Sequence, residues 1–311
     1  MRIAVVGAGG VGGGFGAALA KAGADVTFIA RGAHLAAMKS TGLKVQGPRG
    51  DTHLVPTRAT DDPADIGTVD IVLFCVKLWD VESAGEKIKP LIGAGTAVIP
   101  LQNGIDAHER LIPILGKDAV MGGVAQISAS ITAPGVIAQV GTFMRMVFGE
   151  LDGKPSQRGE DFLALCLKAG FDATLSGEIL TELWMKFILL ASNAGIMALA
   201  RQPIGTLRDD PDLRPIFLAA YQETIDVGRA RGVRLPADAR ERIVEITGHF
   251  PPGMKASMAL DLDRGNRLEV PWLSGKVAEL GHRFGIPTPT HSMMYAMLKP
   301  YAMGAAERGR V

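Results

Sequence analysis

The first 31 residues, MRIAVVGAGGVGGGFGAALAKAGADVTFIAR, constrain the fold more than any other stretch of the chain. Arg2 to Val6 is a short apolar, β-branched run, and Gly7, Gly9 and Gly12 follow it as G-x-G-x-x-G at the point where a buried strand should turn into a helix. Gly7 permits the tight turn, Gly9 lets the backbone approach a pyrophosphate, and Gly12 lets the helix pack closely on the sheet. The helix start, with Gly10 and Val11, offers unpaired N–H groups to an anion. Gly13, Gly14 and Gly16 thin that helix further. A glycine-rich turn with no ligand is the bland alternative, and the strands on both sides of the motif argue against it.

The second strand, Asp25 to Ala30, ends where NAD-binding proteins usually place an acidic residue on the ribose 2′-hydroxyl, and here the residue is Arg31. A guanidinium pairs bidentately with a 2′-phosphate, which favours NADP(H). The competing reading is a solvated surface arginine with His34 a solvated neighbour.

A length of 311 residues suggests two domains. The chain has 33 basic and 32 acidic side chains, a net charge of +1 and no run of like charge, so neither nucleic acid nor an anionic membrane is expected as a partner. A small substrate is expected instead. Cys75 lies in an apolar strand and Cys166 in a helix, without C-x-x-C spacing, so reduced thiols are favoured over a disulfide or a zinc site, and no metal is expected. With no basic-then-apolar leader, the reading is cytoplasmic. The longest apolar run, Phe187 to Ala200, is fourteen residues and too short to cross a hydrocarbon layer of ~30 Å.

Strand-like and helix-like runs alternate to about residue 120. Val69 to Val76 is nearly all apolar, as a parallel strand covered on both faces should be, and Lys77 follows it. Ala97 to Gln102 is the next strand, ending in Asn103-Gly104, and Ile105 to Leu115 reads as a helix. Because the carboxyl ends of strands face the ligand crevice in a doubly wound sheet, Lys77 and Asn103 fall where cofactor and substrate would lie. From Ala119 to Glu150, shorter strands with turns at Ala133-Pro134-Gly135 and Gly141 suggest antiparallel strands closing the sheet. A helix near 157–169, a strand at 172–175 and a long helix from Glu178 lead into a region of helices punctuated by prolines. The boundary falls near residue 175, giving domains 1–175 and 176–311.

Residues 183–200, LWMKFILLASNAGIMALA, are apolar on nearly every face yet contain Lys186. A buried lysine is costly unless paired, so either it snorkels outward with an i,i+4 bridge to Glu182 or the site uses its charge. Further on, Ser257, Asp261, Asp263, Arg264, Asn266 and Arg267 precede Glu269 and the apolar Val270-Pro271-Trp272. Alone, Glu269 reads as a surface carboxylate.

Several separated motifs then agree: GAGGVG, the Lys77 of FCVK, QNG at 102–104, W-x-K at 184–186, S-M-x-x-D from Ser257 followed by Glu269, and G-I-P-T-P at 285–289. In these the chain resembles the ketopantoate reductase family over essentially its whole length. The resemblance implies an α/β fold with an N-terminal doubly wound Rossmann domain and a C-terminal all-helical domain of the 6-phosphogluconate dehydrogenase-like type. It implies NADPH-dependent reduction of 2-dehydropantoate to pantoate, a step of pantothenate and coenzyme A biosynthesis, in the cleft between the domains. Lys186 matches the family's catalytic lysine and Glu269 the glutamate that binds the nascent hydroxyl. Ser257 matches a substrate-carboxylate contact, Asn103 the asparagine between nicotinamide and substrate, and Lys77 a cofactor-side lysine. Gly7, Gly9, Gly12 and Arg31 match NADPH contacts.

Leu190 and Ile204 stand where many members carry asparagines. Asn193, on roughly the same helical face as Lys186, is the candidate to recover one of those contacts, with Ser192 beside it. Two alternatives stay open: a related reductase of another 2-keto acid, and a non-catalytic NADP(H) redox sensor. The oligomeric state is also open, with a homodimer as the assembly considered.

Overall fold

The computed structural model describes residues 1–305, which fall into two compact units: residues 1–102 with 106–180, and residues 103–105 with those from 181 onward. The first unit begins with β1 (Arg2–Val6), α1 (Gly10–Lys21), β2 (Asp25–Ile29), α2 (Gly32–Thr41), β3 (Leu43–Gln46), β4 (Thr52–Leu54) and β5 (Ala59–Thr60). It continues with β6 (Ile71–Phe74), α3 (Val81–Lys87), β7 (Ala97–Pro100), α4 (Ala107–Leu115), β8 (Gly122–Ala133), β9 (Val136–Gly149), α5 (Gln157–Lys168) and β10 (Asp172–Leu175).

Strands β5-β2-β1-β6-β7 form a parallel five-stranded sheet, the doubly wound order, with β1 at the point where the order reverses. The apolar runs read as covered strands are buried on both faces here: all four residues of β6 and all four of β7 are inaccessible.

The strands after residue 120 do not close this sheet, contrary to the sequence reading. They build a second five-stranded sheet in which β9 pairs antiparallel with β8 and parallel with both β3 and β10, while β4 extends β3. β8 and β9 are long, 12 and 14 residues. Gly141, read from sequence as a turn, lies inside β9 with a left-handed φ of 71°, beside the place where the β8–β9 register shifts. A glycine there kinks a strand instead of ending it.

Helix α1 lies between the two sheets, and this explains its glycines better than a thinned helix start does. A Cβ on Gly12 would meet the Gly7 carbonyl and Val5 of the first sheet, whereas one on Gly10 would run into the carbonyl of Ala129 in the second. Gly13 and Gly14 face Ile137 and Ile127 of the second sheet in the same way.

The second unit contains α6 (Ile179–Ala200), α7 (Ile204–Arg208), α8 (Arg214–Ala230), α9 (Ala239–Gly248), α10 (Ser257–Asp263), α11 (Ser274–Phe284) and α12 (Pro289–Leu298), with the first two residues of α6 belonging to the first unit. Proline and glycine set the breaks. α8 and α12 carry proline in their first turn, and α11 stops at Gly285 in the left-handed conformation, φ 68°. The buried carboxylate of Glu223 caps α12 from α8, accepting from the amides of Thr290 (2.8 Å) and His291 (3.0 Å).

α6 is the centre of this unit. Phe187, Ile188, Ala191, Ala194 and Met197 pack with Phe217, Tyr221, Ile225, Val277 and Met294. At 22 residues, with a mean hydropathy of 1.6 in its most apolar 18-residue window, it is longer than the apolar run suggests, and length and composition alone would let it cross a membrane. In this structure 67% of its most apolar window is buried inside the protein, as in the core helix of a globular unit.

Candidate active site

The glycine turn sits at the carboxyl end of β1. Gly7 has φ 93°, and a Cβ there would stand 2.9 Å from the carbonyl oxygen of Cys75 at the end of β6, so the turn needs glycine twice over. At Gly9, by contrast, nothing lies within 4 Å of where a Cβ would stand. Gly9 is also the N-cap of α1, with no side chain bonded to the helix start. Open space beside an uncapped helix start, whose first amides lack intrahelical partners, fits a dinucleotide pyrophosphate. Gly7, Gly9, Gly10, Val11 and Gly12 all belong to this turn and the first helical residues.

His34 is not a solvated neighbour. The amide of Gly135 donates to its Nδ1 (3.0 Å), which leaves Nε2–H to donate to the carbonyl of Ala8 (2.9 Å). The ring thus ties the glycine turn to the β8–β9 hairpin. Arg31 is exposed at the N-cap of α2, and its guanidinium meets the Asp80 carboxylate at 3.1 Å. Lys77 is exposed just past β6, with its ammonium 5.6 Å from the centre of the Trp79 ring.

The sequence marks Gln102 only by its place in QNG. Its Nε2 donates to the carbonyls of Phe74 (2.9 Å) and Val76 (3.1 Å), fastening the end of β7 to the end of β6 immediately before Asn103, while its buried Oε1 has no hydrogen-bond partner. A polar residue closing an apolar strand was the signal available for it.

The second unit gathers three of the residues named from sequence. Lys186 is partly buried on α6, and its ammonium donates to the side-chain oxygen of Asn103 at 3.1 Å. Burial pushes the lysine down to about 8, and the nearby negative charge of Glu269 limits the fall. Glu269 is itself 5% exposed, at the start of a short 3-10 turn over Val270–Trp272, so it is not the surface carboxylate that its local sequence suggests. The arrangement is a partly buried cation with two polar neighbours, an environment that tunes a lysine to give up a proton near neutral pH.

The remaining candidates separate. Ser257 opens α10 and is exposed. The charges around it pair locally: Lys255 with Asp263 (3.0 Å), Arg201 with Asp263 (3.6 Å), and Asn266 onto Asp261 (3.1 Å). Asn193 turns into the core, where its Oδ1 accepts from the Tyr221 hydroxyl (2.6 Å) and its Nδ2 donates to Thr247 (3.3 Å). The structure therefore gives Asn193 an internal role joining α6, α8 and α9, and a helix-face argument from one sequence could not see these partners. Ser192 is wholly buried beside it, its hydroxyl without a partner. Cys75 and Cys166 are free thiols, each pushed up by burial. Among the described residues, no three His, Cys, Asp or Glu side chains stand together as a metal site.

A Rossmann sheet with a ligand-ready glycine turn, followed by a helical unit with a tuned lysine, defines a dinucleotide-binding protein of two-unit design. The chain belongs to the ketopantoate reductase family, a family of oxidoreductases: residues 3–153 match the model for Ketopantoate reductase PanE/ApbA, and residues 178–302 match its C-terminal counterpart. A 2-dehydropantoate 2-reductase of Mesorhizobium japonicum is 30% identical over 99% of both chains. The oxidoreductase YkpB of Bacillus subtilis, named as uncharacterized, is 29% identical over 97% of this chain and 99% of its own. A crystal structure of a PanE/ApbA family ketopantoate reductase from Ralstonia eutropha superposes with a TM-score of 0.88 at 31% identity, covering 97% of this chain and 98% of the other.

Proposed function

We propose that the protein reduces ketopantoate to pantoate with NADPH, within the cytoplasm, as a step toward coenzyme A. The observation that carries this reading is Lys186, an ammonium drawn down to about 8 by burial, donating to Asn103 and facing the charge of buried Glu269. When bound, the reduced nicotinamide supplies the hydride that the keto carbon accepts.

The chain's own residues supply the rest. Lys186 donates a hydrogen bond to the keto oxygen and passes its Nζ proton to that oxygen as the alkoxide develops. A cation already fixed in place stabilises the developing charge without reorganising, and the Asn103 acceptor sets the direction of the ammonium. Glu269 accepts from the new hydroxyl and keeps the lysine protonated before the reaction. Ser257 hydrogen-bonds the substrate carboxylate. Gly7, Gly9, Gly10, Val11 and Gly12 hold the pyrophosphate, while Lys77 and Arg31 face the adenosine side of the cofactor. Residues 1–175 are assigned to the cofactor and residues 176–311 to substrate and catalysis.

Similarity to a 2-dehydropantoate 2-reductase over nearly the full length supports the choice of substrate. Reduction of a different 2-keto acid is the second reading, favoured by Leu190 and by the fully buried Ile204 at the two family asparagine positions. Steady-state NADPH oxidation with ketopantoate beside pyruvate, 2-ketoisovalerate and oxaloacetate tests both. The highest kcat/KM on ketopantoate is the expected result, the best rate on another acid supports the second reading, and no turnover with any of them leaves only cofactor binding.

A further inference from the structure

Asp80 ends a short 3-10 turn, Leu78–Asp80, that runs directly into α3, and its side chain makes no hydrogen bond to the helix start. Its carboxylate meets the guanidinium of Arg31, just past the end of β2, at 3.1 Å, with 30% of the aspartate side chain and 76% of the arginine side chain exposed. β2 and β6 flank β1 on either side, so the pair stands across the carboxyl end of the strand that carries the glycine turn. An exposed ion pair adds little to stability, so the contact has small structural return.

We propose that Asp80 is a specificity-determining residue that restrains the preference for a phosphorylated ribose. The inference rests on the cofactor reading above. Arg31 attracts a 2′-phosphate, but a phosphate arriving there must share the guanidinium with a carboxylate and lie beside its negative charge. An unphosphorylated ribose meets no such repulsion, and its 2′-hydroxyl can donate to Asp80 as it does to the acidic residue of NAD-binding sites. Arg31 and Asp80 together therefore make a two-way selector, in which the arginine sets the direction of the preference and the aspartate limits its size.

The test is calorimetric titration of the purified full chain and its Asp80→Asn and Arg31→Ala variants with adenosine 2′,5′-bisphosphate and with 5′-AMP, at one ionic strength. These probes report the adenosine side without any turnover. Asp80→Asn should tighten adenosine 2′,5′-bisphosphate about three- to fivefold, the scale of one exposed charge interaction, and leave 5′-AMP unchanged or slightly weaker. Arg31→Ala should weaken only the bisphosphate. If Arg31→Ala behaves so but Asp80→Asn leaves the bisphosphate affinity unchanged or lower, or tightens both probes alike, the role of Asp80 is overturned while the cofactor reading stands. If the unmodified protein does not favour the bisphosphate over 5′-AMP, the NADP(H) reading falls and this inference falls with it.

Discussion

α1 and α6 are the central helices of their units, and they reach the same degree of enclosure by opposite means. α1 is enclosed because it is thin: glycines at 10, 12, 13, 14 and 16 let two sheets approach it. α6 is enclosed because it is thick, with Phe187, Ile188 and Met197 filling the space between neighbouring helices. The functional consequence differs accordingly. A thin helix exposes backbone amides at its start and suits an anion, whereas a thick apolar helix makes a low-dielectric setting in which one lysine is shifted toward neutral pH.

The largest effect is expected where α6 carries its charge. Lys186→Ala should lower turnover by about a hundredfold or more while the fold is retained, because a positioned acid is lost and a partly buried cation no longer has to be accommodated. Steady-state rates beside a thermal melt separate the two effects, and near-full activity would make the lysine structural.

α1 allows a sharper contrast between adjacent positions. Gly10→Ala places a methyl against the carbonyl of Ala129 and should cost on the order of 1–3 kcal/mol of stability. Gly9→Ala enters open space, so the melt should barely move while NADPH affinity drops by about tenfold. A destabilised Gly9→Ala would mean that this glycine serves packing and not a ligand.

The pH profile comes next. Reduction needs Lys186 protonated, so the rate should hold at lower pH and decline as pH rises through about 8. Glu269→Gln removes the negative charge that opposes the effect of burial, so the lysine falls further and the decline moves to lower pH. A profile that stays in place, or moves upward, would remove Glu269 from the electrostatics of the site.

The smallest effect concerns the substrate's terminal hydroxyl. With Leu190 and Ile204 at the asparagine positions, and Asn193 committed to Tyr221 and Thr247, ketopantoate should be preferred over 2-ketoisovalerate by about tenfold or less. A preference above about a thousandfold would require other groups, such as the unpartnered hydroxyl of Ser192, to reach the substrate.

The chain order of strand, glycine turn, helix and strand was legible because its signals are local: a β-branched run, a left-handed position and short three-residue connections between elements. The second sheet was not legible, because β3 and β4 are short and the pairing of β3 with β9 spans about ninety residues that no periodicity links. Gly141 misled for a related reason, since a left-handed glycine reads the same way in a turn and in a kinked strand.

By itself the sequence determined the Rossmann order, the place of the glycine turn, a helical second half and the presence of one lysine within an apolar helix. Only the tertiary structure decided what that lysine meets. It brought Asn103 from the end of β7 to within 3.1 Å of Lys186, buried Glu269, sent Asn193 to a core triad and set Asp80 against Arg31. Spacing along a chain fixes which face of a helix or strand a side chain occupies. Hydrogen-bond partners and desolvation, which set the chemistry, come from segments far away in sequence.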